Sequence, residues 1–439
     1  MKIHFIGIGG IGVSALARYY LNQGAEISGS DLVESEITRE LENLGVKIFI
    51  GKHKAKNLPK DTNLVIYSQA VQKNNPELIE ASKKKIKILS YPEALGKLTK
   101  NHFTIAVCGT HGKSTTTALI GLILTKAGFD PTVILGTKLK EFKNSNCRIG
   151  KSKYLVIEAD EHFASFLNYS PKIIVLTALD PDHLDYYKNF KNYLLGFKKF
   201  ILTLPSDGVL VANYDDKKIR KLISTIKKPK FRIEKFNQKE KERKKLEKIL
   251  KIPGRFNVSN SLAALKVAKI LKIKSKIYFY VFKNYKGSWR RFEIKKIKIK
   301  GKNTTLISDY AHHPTEVEET LNAIKEKFKN KKIICVFQPH QYSRTFYLFE
   351  YFVEVFKKIK IEKIIITDIY DVPGREDINI KNKVSSQLLV EKIKNKNVIY
   401  VSQKRIFNFI KKSLKGGEVV VIMGAGDIYE LWKKLSFTF

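Results

Sequence analysis

The sequence predicts an α/β protein of three domains, each built on a parallel, doubly wound sheet. Short apolar runs alternate with helical stretches along the chain, which is the pattern of βαβ units. The chain has 439 residues, too many for one ordinary core, and 43% of them are hydrophobic. Glycine-rich or polar segments follow the apolar runs directly. Open α/β sheets bind their ligands at these strand ends, so the sequence predicts a functional site at the end of each sheet.

The first domain is predicted to span residues 1–99. Its opening segment, IHFIGIGGIG, places four glycines between a strand and a helix, at Gly7, Gly9, Gly10 and Gly12. Such a turn lets the backbone approach a pyrophosphate at a helix N-terminus, and Asp31 lies where an acid contacts a ribose. The motif predicts a Rossmann-like domain that binds NAD, FAD or a UDP-sugar. Glycines that serve only the fold remain the alternative.

The middle domain is predicted to span residues 100–288 and to be of the P-loop ATPase type. Its loop consists of Gly109, Thr110, His111, Gly112, Lys113, Ser114 and Thr115. The spacing between its glycines is two residues shorter than in the usual phosphate-binding loop. Lys113 is expected to reach the terminal phosphates of ATP, and the Ser114 hydroxyl to bind Mg²⁺. Glu158 and His183 follow apolar strands of the same domain, so we expect both to complete the metal site.

The third domain is predicted to be Rossmann-like and to span residues 289–439. Two polar segments, SDYAHHPTE and FQPHQYSRT, follow apolar strands there. His312, His340 and Arg344 are expected to converge at these strand ends and to bind an anion. Arginine grips a carboxylate with two parallel hydrogen bonds, so this site is a candidate for a carboxylate ligand.

Charge and composition narrow the class of protein. The formal net charge is +40, but the 82 basic residues are mostly lysines spread along the whole chain, which is typical of a compositional bias. We therefore expect no specific nucleic-acid partner. No apolar run has the roughly 18 to 20 residues that a membrane span needs. The first glycines favour a strand-turn-helix over a signal peptide, and the three cysteines form no CxxC pair, so we expect a cytoplasmic protein.

Seven segments, taken in order, resemble the motifs of the Mur ligase family: IHFIGIGGIG, GTHGKSTT, EADE, DHLDYY, RRF, DYAHHPTE and QPHQYSRT. The resemblance covers nearly the whole chain. It implies that the first domain holds UDP-N-acetylmuramate, the second ATP with Mg²⁺, and the third L-alanine. ATP would phosphorylate the lactyl carboxylate, and the alanine amine would attack the acyl phosphate. Such a ligase of peptidoglycan precursor synthesis would be a monomer or a weak homodimer.

The resemblance also implies roles for individual residues. The implied catalytic residues are Lys113, His183, His312 and Arg344, and the implied metal ligands are Ser114, Glu158 and His183. The phosphate loop would bind ATP together with Asn257 and Asn260. The UDP-sugar site would consist of the four glycines with Asp31, Ser68, Arg290 and Arg291. The amino-acid site would consist of Asp309, Tyr310, His312, His340 and Arg344.

The sequence departs from the family pattern at several positions. Phe256 stands where a histidine is usual, and Gln341 stands where a basic residue is usual. These changes imply lower catalytic efficiency. Three alternatives stay open: a ligase that recycles murein tripeptide, a catalytically decayed UDP-muramate binder, and a nucleic-acid-dependent NTPase.

Overall fold

The computed structural model describes residues 1–372 and 378–438, and within these residues the strands form three sheets in chain order. Nearly all strand pairs are parallel, with helices between successive strands. The predicted α/β class with three sheets is confirmed. The domain boundaries at residues 99 and 288 stay a prediction. Among the described residues, none of the helices is long and apolar enough to cross a membrane.

The first sheet has the strand order β3-β2-β1-β4-β5, all parallel. Its elements are β1 (Lys2–Ile6), α1 (Ile11–Asn22), β2 (Glu26–Asp31), α2 (Glu36–Glu42), β3 (Lys47–Ile50), β4 (Leu64–Tyr67), α3 (Pro76–Lys83), β5 (Lys87–Ser90) and α4 (Tyr91–Lys100), with a 3₁₀ turn at Ala55–Asn57. The strand order reverses between β1 and β4, and the crevice at such a point is where open sheets bind ligands. The glycine loop follows β1 at this position.

The first domain contains a buried carboxylate, that of Glu77. Glu77 of α3 is fully buried and accepts four hydrogen bonds, from His4 at 2.9 Å, Ser30 at 2.6 Å, His53 at 2.9 Å and Asn57 at 2.9 Å. Burial opposes its charge, but the four donors outweigh that cost and hold the pKa of Glu77 well below its ordinary value. The charged form is therefore the stable one in this core.

The second sheet has the strand order β12-β11-β10-β6-β9-β7-β8. Its elements are β6 (Phe103–Cys108), α5 (Lys113–Lys126), β7 (Thr132–Leu139), β8 (Ser145–Arg148), β9 (Tyr154–Glu158), β10 (Ile173–Leu176), α6 (Leu184–Tyr187), α7 (Phe190–Ile201), β11 (Val209–Asn213), α8 (Lys217–Ser224), β12 (Arg232–Phe236), α9 (Arg243–Ile249), α10 (Arg255–Ile270) and α11 (Ser275–Asn284), with 3₁₀ turns at Lys140–Phe142 and His162–Asn168. β6 lies between β10 and β9, so the loops after these three strands meet at one edge.

Residues 217–252 have an irregular, lysine-rich sequence but form regular secondary structure. This lysine-rich stretch forms α8, β12 and α9, and β12 adds a parallel strand to the edge of the second sheet. Its lysines obscure the pattern because they occupy the exposed faces. The buried positions Ile219, Leu222 and Ile223 recur at helical spacing in α8.

The third sheet has the strand order β13-β14-β18-β15-β16-β17. Its elements are β13 (Glu293–Ile299), β14 (Lys302–Asp309), α12 (Pro314–Lys327), β15 (Ile333–Phe337), α13 (Tyr342–Tyr347), α14 (Phe349–Lys358), β16 (Lys363–Ile366), α15 (Ile378–Lys381), α16 (Ser386–Ile393), β17 (Val398–Tyr400), α17 (Gln403–Ser413), β18 (Val419–Met423) and α18 (Tyr429–Thr438). Apolar clusters fill both faces of the sheet.

Two antiparallel pairs depart from the parallel pattern that the sequence predicts. β8 pairs with β7 at one edge of the second sheet, and β13 pairs with β14 at the edge of the third. The β13 segment EIKKIKI alternates apolar and basic residues, which is typical of an edge strand with one solvated face. Both pairs are hairpins, so their connections need only a few residues.

The described chain divides into two compact units. The first comprises Met1–Pro181, Lys191–Ile249 and Ser259–Tyr285, and so contains the first two sheets. The second comprises Asp182–Phe190, Leu250–Val258 and the chain from Lys286 onward. The glycine loop and the phosphate loop belong to the first unit, and His312, His340 and Arg344 belong to the second.

Candidate active site

The glycine loop of the first domain is held by backbone contacts and one carboxylate. Gly9 N donates to Asp31 Oδ2 at 2.8 Å. Gly7 has a φ of +76°, and a Cβ there would lie 2.9 Å from the Cβ of Ser68. The structure therefore brings the glycines, Asp31 and Ser68 together at the switch point of the first sheet. Asp31 stabilises the loop itself, and its contact with a ribose stays a prediction.

The phosphate loop of the middle domain ends at Gly112, which precedes α5 with a φ of +82°. A side chain at this position would collide with the Asn260 amide, so Asn260 lies directly against the loop, and its contact with ATP stays a prediction. Thr110 anchors the loop to the next strand end, because its Oγ1 accepts from Asp180 N at 2.8 Å. The loop presents backbone N–H groups at the start of a helix, which is an arrangement that binds phosphate.

Lys113 curls back over its own loop. Its Nζ donates to Gly109 O at 2.6 Å and to Glu161 Oε2 at 3.0 Å. Burial opposes the charge of Lys113, but nearby carboxylates outweigh it and raise its pKa. Burial raises the pKa of Glu161, although Lys113 opposes that shift. A phosphate group that reaches Lys113 must therefore compete with Glu161.

Glu161 was not among the residues that the sequence predicts for this site. It is fully buried, and Tyr193 Oη donates to its Oε1 at 3.1 Å. The available signal was its spacing, since Glu161 comes three residues after Glu158 in a polar segment that follows a buried strand. Open α/β sheets bind their ligands at the carboxyl ends of their strands, so a glutamate in this segment is a candidate site residue.

Ser114 and Glu158 meet as the sequence predicts. Ser114 Oγ donates to Glu158 Oε2 at 3.0 Å, and Gly136 N donates to Glu158 Oε1 at 2.6 Å. A hydroxyl and a carboxylate are the hard oxygen donors that Mg²⁺ prefers, so this pair fits the predicted metal. His183 belongs to the second compact unit, and its role as a ligand stays a prediction.

A second carboxylate orients the histidine of the phosphate loop. Asp180 Oδ2 lies 3.0 Å from His111 Nε2, and Lys218 Nζ donates to Asp180 Oδ1 at 2.7 Å. Burial opposes the charge of Asp180, but these two partners outweigh it and lower its pKa below the ordinary range. Sequence reasoning missed Asp180 and Lys218, because their contacts join segments that are 69 and 38 residues apart along the chain.

In the second unit, Arg344 and His340 meet after β15, as the sequence predicts. Arg344 Nη1 lies 3.2 Å from His340 Nδ1. The same guanidinium is buried and donates from Nε to Asp182 Oδ1 at 3.1 Å. The crevice beside this ion pair has a volume of about 10 Å³, which is room for about one water molecule. A carboxylate that binds Arg344 must therefore compete with Asp182.

His312 lies next to this pair, with its ring centroid 5.7 Å from that of His340. Burial lowers the pKa of His312 to about 4, so the imidazole is neutral at pH 7. Its Nδ1 lies 2.9 Å from Tyr310 O. A carbonyl oxygen only accepts, so Nδ1 carries the hydrogen and Nε2 is the acceptor of the ring.

The remaining predicted residues of the third domain serve its architecture in this structure. Asp309 accepts from Ala311 N at 2.9 Å and from Phe292 N at 2.8 Å, and burial raises its pKa to about 6. Arg290 is buried and donates to Gly424 O at 2.7 Å. Arg291 is partly exposed and lies over the Tyr310 ring at 4.8 Å. Their roles in substrate binding stay predictions.

The two departures from the family pattern have structural partners. Gln341 Oε1 accepts from Arg344 Nη1 at 2.9 Å, so it orients the guanidinium. Phe256 packs against the apolar cluster of the third sheet, and Asn257 Nδ2 donates to Pro253 O at 2.6 Å. Phe256 therefore contributes packing at a position where a polar ring is usual.

The fold and the site together define a class of protein. One compact unit carries two separate glycine-containing loops, and the second of them has Lys113, the Ser114 hydroxyl and the carboxylates of Glu158 and Glu161 beside it. The other unit carries the cluster of His312, His340 and Arg344. This combination is typical of an enzyme that transfers a phosphoryl group between two bound substrates.

Comparison with known proteins identifies the family. Family models match three consecutive parts of the chain: the Mur ligase family catalytic domain at residues 2–103, the Mur ligase middle domain at residues 107–268, and the Mur ligase glutamate ligase domain at residues 290–426. The chain belongs to the Mur ligase family, as its motifs predict.

Similar proteins match over nearly the full length. The UDP-N-acetylmuramate–L-alanine ligase of Clostridium tetani is 40% identical, with 98% of this chain and 96% of that protein covered. The ligase of the same name from Persephonella marina is 39% identical over 99% of this chain and 96% of that protein. The crystal structure of UDP-N-acetylmuramate–alanine ligase from Thermotoga maritima matches with a TM-score of 0.80 and 27% identity, covering 100% of this chain and 99% of that chain.

Proposed function

We propose that this chain is an ATP-dependent ligase that joins L-alanine to the lactyl carboxylate of UDP-N-acetylmuramate in peptidoglycan precursor synthesis. The observation that carries the proposal is the pairing of a glycine loop without reactive side chains and a phosphate loop with Lys113, Ser114 and Glu158. The full-length similarity to alanine ligases supports the choice of amino acid. We place the reaction in the cytoplasm, where both nucleotides are available.

The first step transfers the γ-phosphoryl group of ATP to the lactyl carboxylate, which gives an acyl phosphate and ADP. Lys113 leaves Glu161 and neutralises charge on the moving phosphoryl group, while the N–H groups at the start of α5 hold the phosphates. Ser114 and Glu158 would hold Mg²⁺, which neutralises phosphate charge when bound. Asp180 keeps His111 in place within the loop.

The second step forms the amide. The alanine amine attacks the carbonyl carbon of the acyl phosphate, and the tetrahedral intermediate loses phosphate. The amine must lose a proton in this step, and the neutral His312 supplies an acceptor at Nε2. Arg344 and His340 bind the alanine carboxylate. That carboxylate replaces Asp182 as the partner of Arg344 when the substrate binds.

A phosphate-release assay tests the proposed function. The purified chain is supplied with ATP, Mg²⁺ and UDP-N-acetylmuramate, and then with L-alanine, glycine, L-serine or a murein tripeptide. We expect phosphate release to require the UDP-sugar and to be fastest with L-alanine. Preference for the tripeptide would identify a recycling ligase. Phosphate release without any amino acid but with DNA would identify a nucleic-acid-dependent NTPase.

A substitution of Arg344 tests the proposed amino-acid site. Arg344→Lys keeps a positive charge beside Asp182 but loses the two-pronged grip on a carboxylate. Because a charge-assisted hydrogen bond contributes about 1.5 to 3 kcal/mol, we expect the KM for L-alanine to rise about tenfold or more. The KM values for ATP and the UDP-sugar should stay nearly unchanged. A rise in the ATP constant alone would assign Arg344 to the phosphate site instead.

A further inference from the structure

The β7–β8 hairpin of the middle domain, residues 132–148, contacts the first domain directly. We call it the bridging hairpin. β7 pairs with β9 inside the second sheet, and β8 forms the edge beyond it. Both strands pack against α1, the helix that follows the glycine loop of the first domain. The hairpin therefore links the two phosphate-binding loops of the first compact unit.

Lys138 forms the electrostatic part of this link. It lies in β7, its side chain is only 5% exposed, and its Nζ lies 2.8 Å from Glu36 and 2.6 Å from Glu40. Both carboxylates belong to α2 of the first domain. Glu40 also accepts from Arg18 of α1 at 2.7 Å. A buried lysine between two carboxylates fixes the position of a strand more strictly than an exposed pair does.

Asn146 forms the second part of the link, from β8. Its side chain is buried, and its Nδ2 donates to Ile11 O at 2.6 Å and to Ser14 Oγ at 2.8 Å. Ile11 is the first residue of α1 and belongs to the glycine loop at residues 7–12. The amide therefore holds the end of the helix that faces the predicted pyrophosphate site.

The same hairpin reaches the metal site of the middle domain. Gly136 lies two residues before Lys138 in β7, and its N donates to Glu158 Oε1 at 2.6 Å. A Cβ at Gly136 would lie 2.8 Å from Glu158 Oε2, so the strand and the carboxylate are in close contact. Gly136 and Lys138 lie two residues apart in the same strand. One short strand thus touches Glu158 and the first domain.

We propose that Lys138 and Asn146 are positioning residues that set the register between the glycine loop of the first domain and Glu158 beside the phosphate loop. The proposal rests on the proposed function, in which the lactyl carboxylate held by the first domain must meet the phosphoryl group held by the second. The contacts of Lys138 with α2 and of Asn146 with α1 lie outside the phosphate loop of the middle domain. Their effect on the reaction is exerted through the distance between the two bound substrates.

The test compares the dissociation constants of the substrates with kcat in the same variant. In Lys138→Met, each domain keeps its own loop, so we expect the dissociation constants of UDP-N-acetylmuramate and of a non-hydrolysable ATP analogue to change less than about threefold. We expect kcat to fall about tenfold or more, because a misplacement of about 1 Å can cost a factor of 10². Lys172→Met is the matched control, since Lys172 pairs at 2.8 Å with Asp207 inside the middle domain on the surface.

Two further variants keep the test decisive. Lys138→Arg retains the charge and should recover most of the lost kcat. Asn146→Ser removes the amide that reaches Ile11 and should lower kcat in the same way, even if Lys138→Met does not fold. An unchanged kcat in a folded Lys138→Met or Asn146→Ser enzyme would overturn the proposal, as would a loss explained entirely by weaker binding of one substrate.

Hydrogen exchange separates this inference from the proposed function. The amides of residues 11–14 and 36–40 should exchange faster in Lys138→Met than in the parent chain, and Lys172→Met should leave them unchanged. This result does not depend on which substrates the enzyme uses. If exchange is faster in Lys138→Met but the parent chain has no ligase activity, the positioning role of the hairpin is supported and the proposed ligase function is wrong. If exchange is unchanged and the parent chain is an active ligase, the positioning role alone is wrong.

Discussion

The two phosphate-binding loops of the first compact unit differ in what surrounds them. The loop at residues 7–12 contacts Asp31 and Ser68 and contains only glycine and isoleucine. The loop at residues 109–114 carries Lys113 and Ser114, with the carboxylates of Glu158 and Glu161 within hydrogen-bond distance. The first arrangement offers backbone N–H groups to a ligand, whereas the second adds a lysine, a hydroxyl and carboxylates that suit the proposed phosphoryl transfer. The difference teaches that a glycine loop becomes reactive through its charged neighbours.

The largest expected effect tests the charge of the second loop. Lys113→Met removes the cation that neutralises the transferring phosphoryl group, so kcat should fall by about 10² or more. Binding of UDP-N-acetylmuramate should be unchanged, as measured by calorimetry. Lys126→Met is the matched control, because Lys126 lies in the same helix with its Nζ 4.7 Å from the Tyr280 ring. Near-normal turnover in Lys113→Met would remove this lysine from the mechanism.

A pair of glycine variants tests whether each loop serves one substrate. Gly112→Ala should raise the KM for ATP, and Gly7→Ala the KM for the UDP-sugar, each by about tenfold or more, because both positions have a positive φ and a close neighbour. Gly128→Ala is the control, since Gly128 has a φ of +82° but no close neighbour within 4 Å. If Gly7→Ala raised the ATP constant instead, the assignment of the loops would be reversed.

Glu77 of the first domain and Glu161 of the middle domain should contribute to folding stability with opposite dependence on pH. The pKa of Glu77 is lowered on folding, so its contribution to stability is present above about pH 4.5 and is lost as the pH falls. The pKa of Glu161 is raised on folding, so its contribution to stability is present at low pH and is lost as the pH rises. We expect Glu77→Gln to cost about 1 to 3 kcal/mol at pH 7, since an amide cannot accept from all four donors.

Urea unfolding at several pH values measures this prediction. The free-energy difference between the parent and Glu77→Gln should shrink as the pH is lowered from 6 to about 4. A difference that grows on acidification would contradict the charged, fully hydrogen-bonded state of Glu77. Glu80→Gln is a suitable control, because Glu80 lies in the same helix and forms a partly exposed pair with Lys84.

The smallest expected effect concerns Asp31. Asp31→Ala removes the acceptor of Gly9 N, so the affinity for UDP-N-acetylmuramate should fall about three- to tenfold, in line with the loss of one hydrogen bond. The KM for ATP should not change. An effect on ATP of the same size would mean that the first loop is not a separate site. Asp61→Ala, at an exposed ion pair with Lys2, controls for the loss of charge.

The positions of many candidate site residues could be predicted from local sequence patterns. Strand-loop-helix spacing placed Gly112, Lys113 and Ser114, and the end of a buried strand placed Glu158. Their placement could be predicted because the loop is built from consecutive residues whose backbone conformation is set locally, whereas their roles in binding stay predictions. The same local reasoning placed His340 and Arg344 on one loop after β15.

Contacts between distant segments could not be predicted from the sequence. Glu161 pairs with Lys113 across 48 residues, and Lys138 reaches α2 across about 100 residues. Charged residues are common throughout this lysine-rich chain, so no pattern singles out the pairs that become buried. The edge pairing of β8 was missed for a similar reason, since a four-residue strand has little periodicity of its own.

The sequence by itself determined the three α/β sheets, the two phosphate loops and the family, because each depends on residues that are close together along the chain. Only the tertiary structure decided which carboxylates face Lys113, that Asp182 occupies Arg344, and that one hairpin joins the two loops. The physical reason is that desolvation and pairing depend on burial, and burial is set by how distant elements pack.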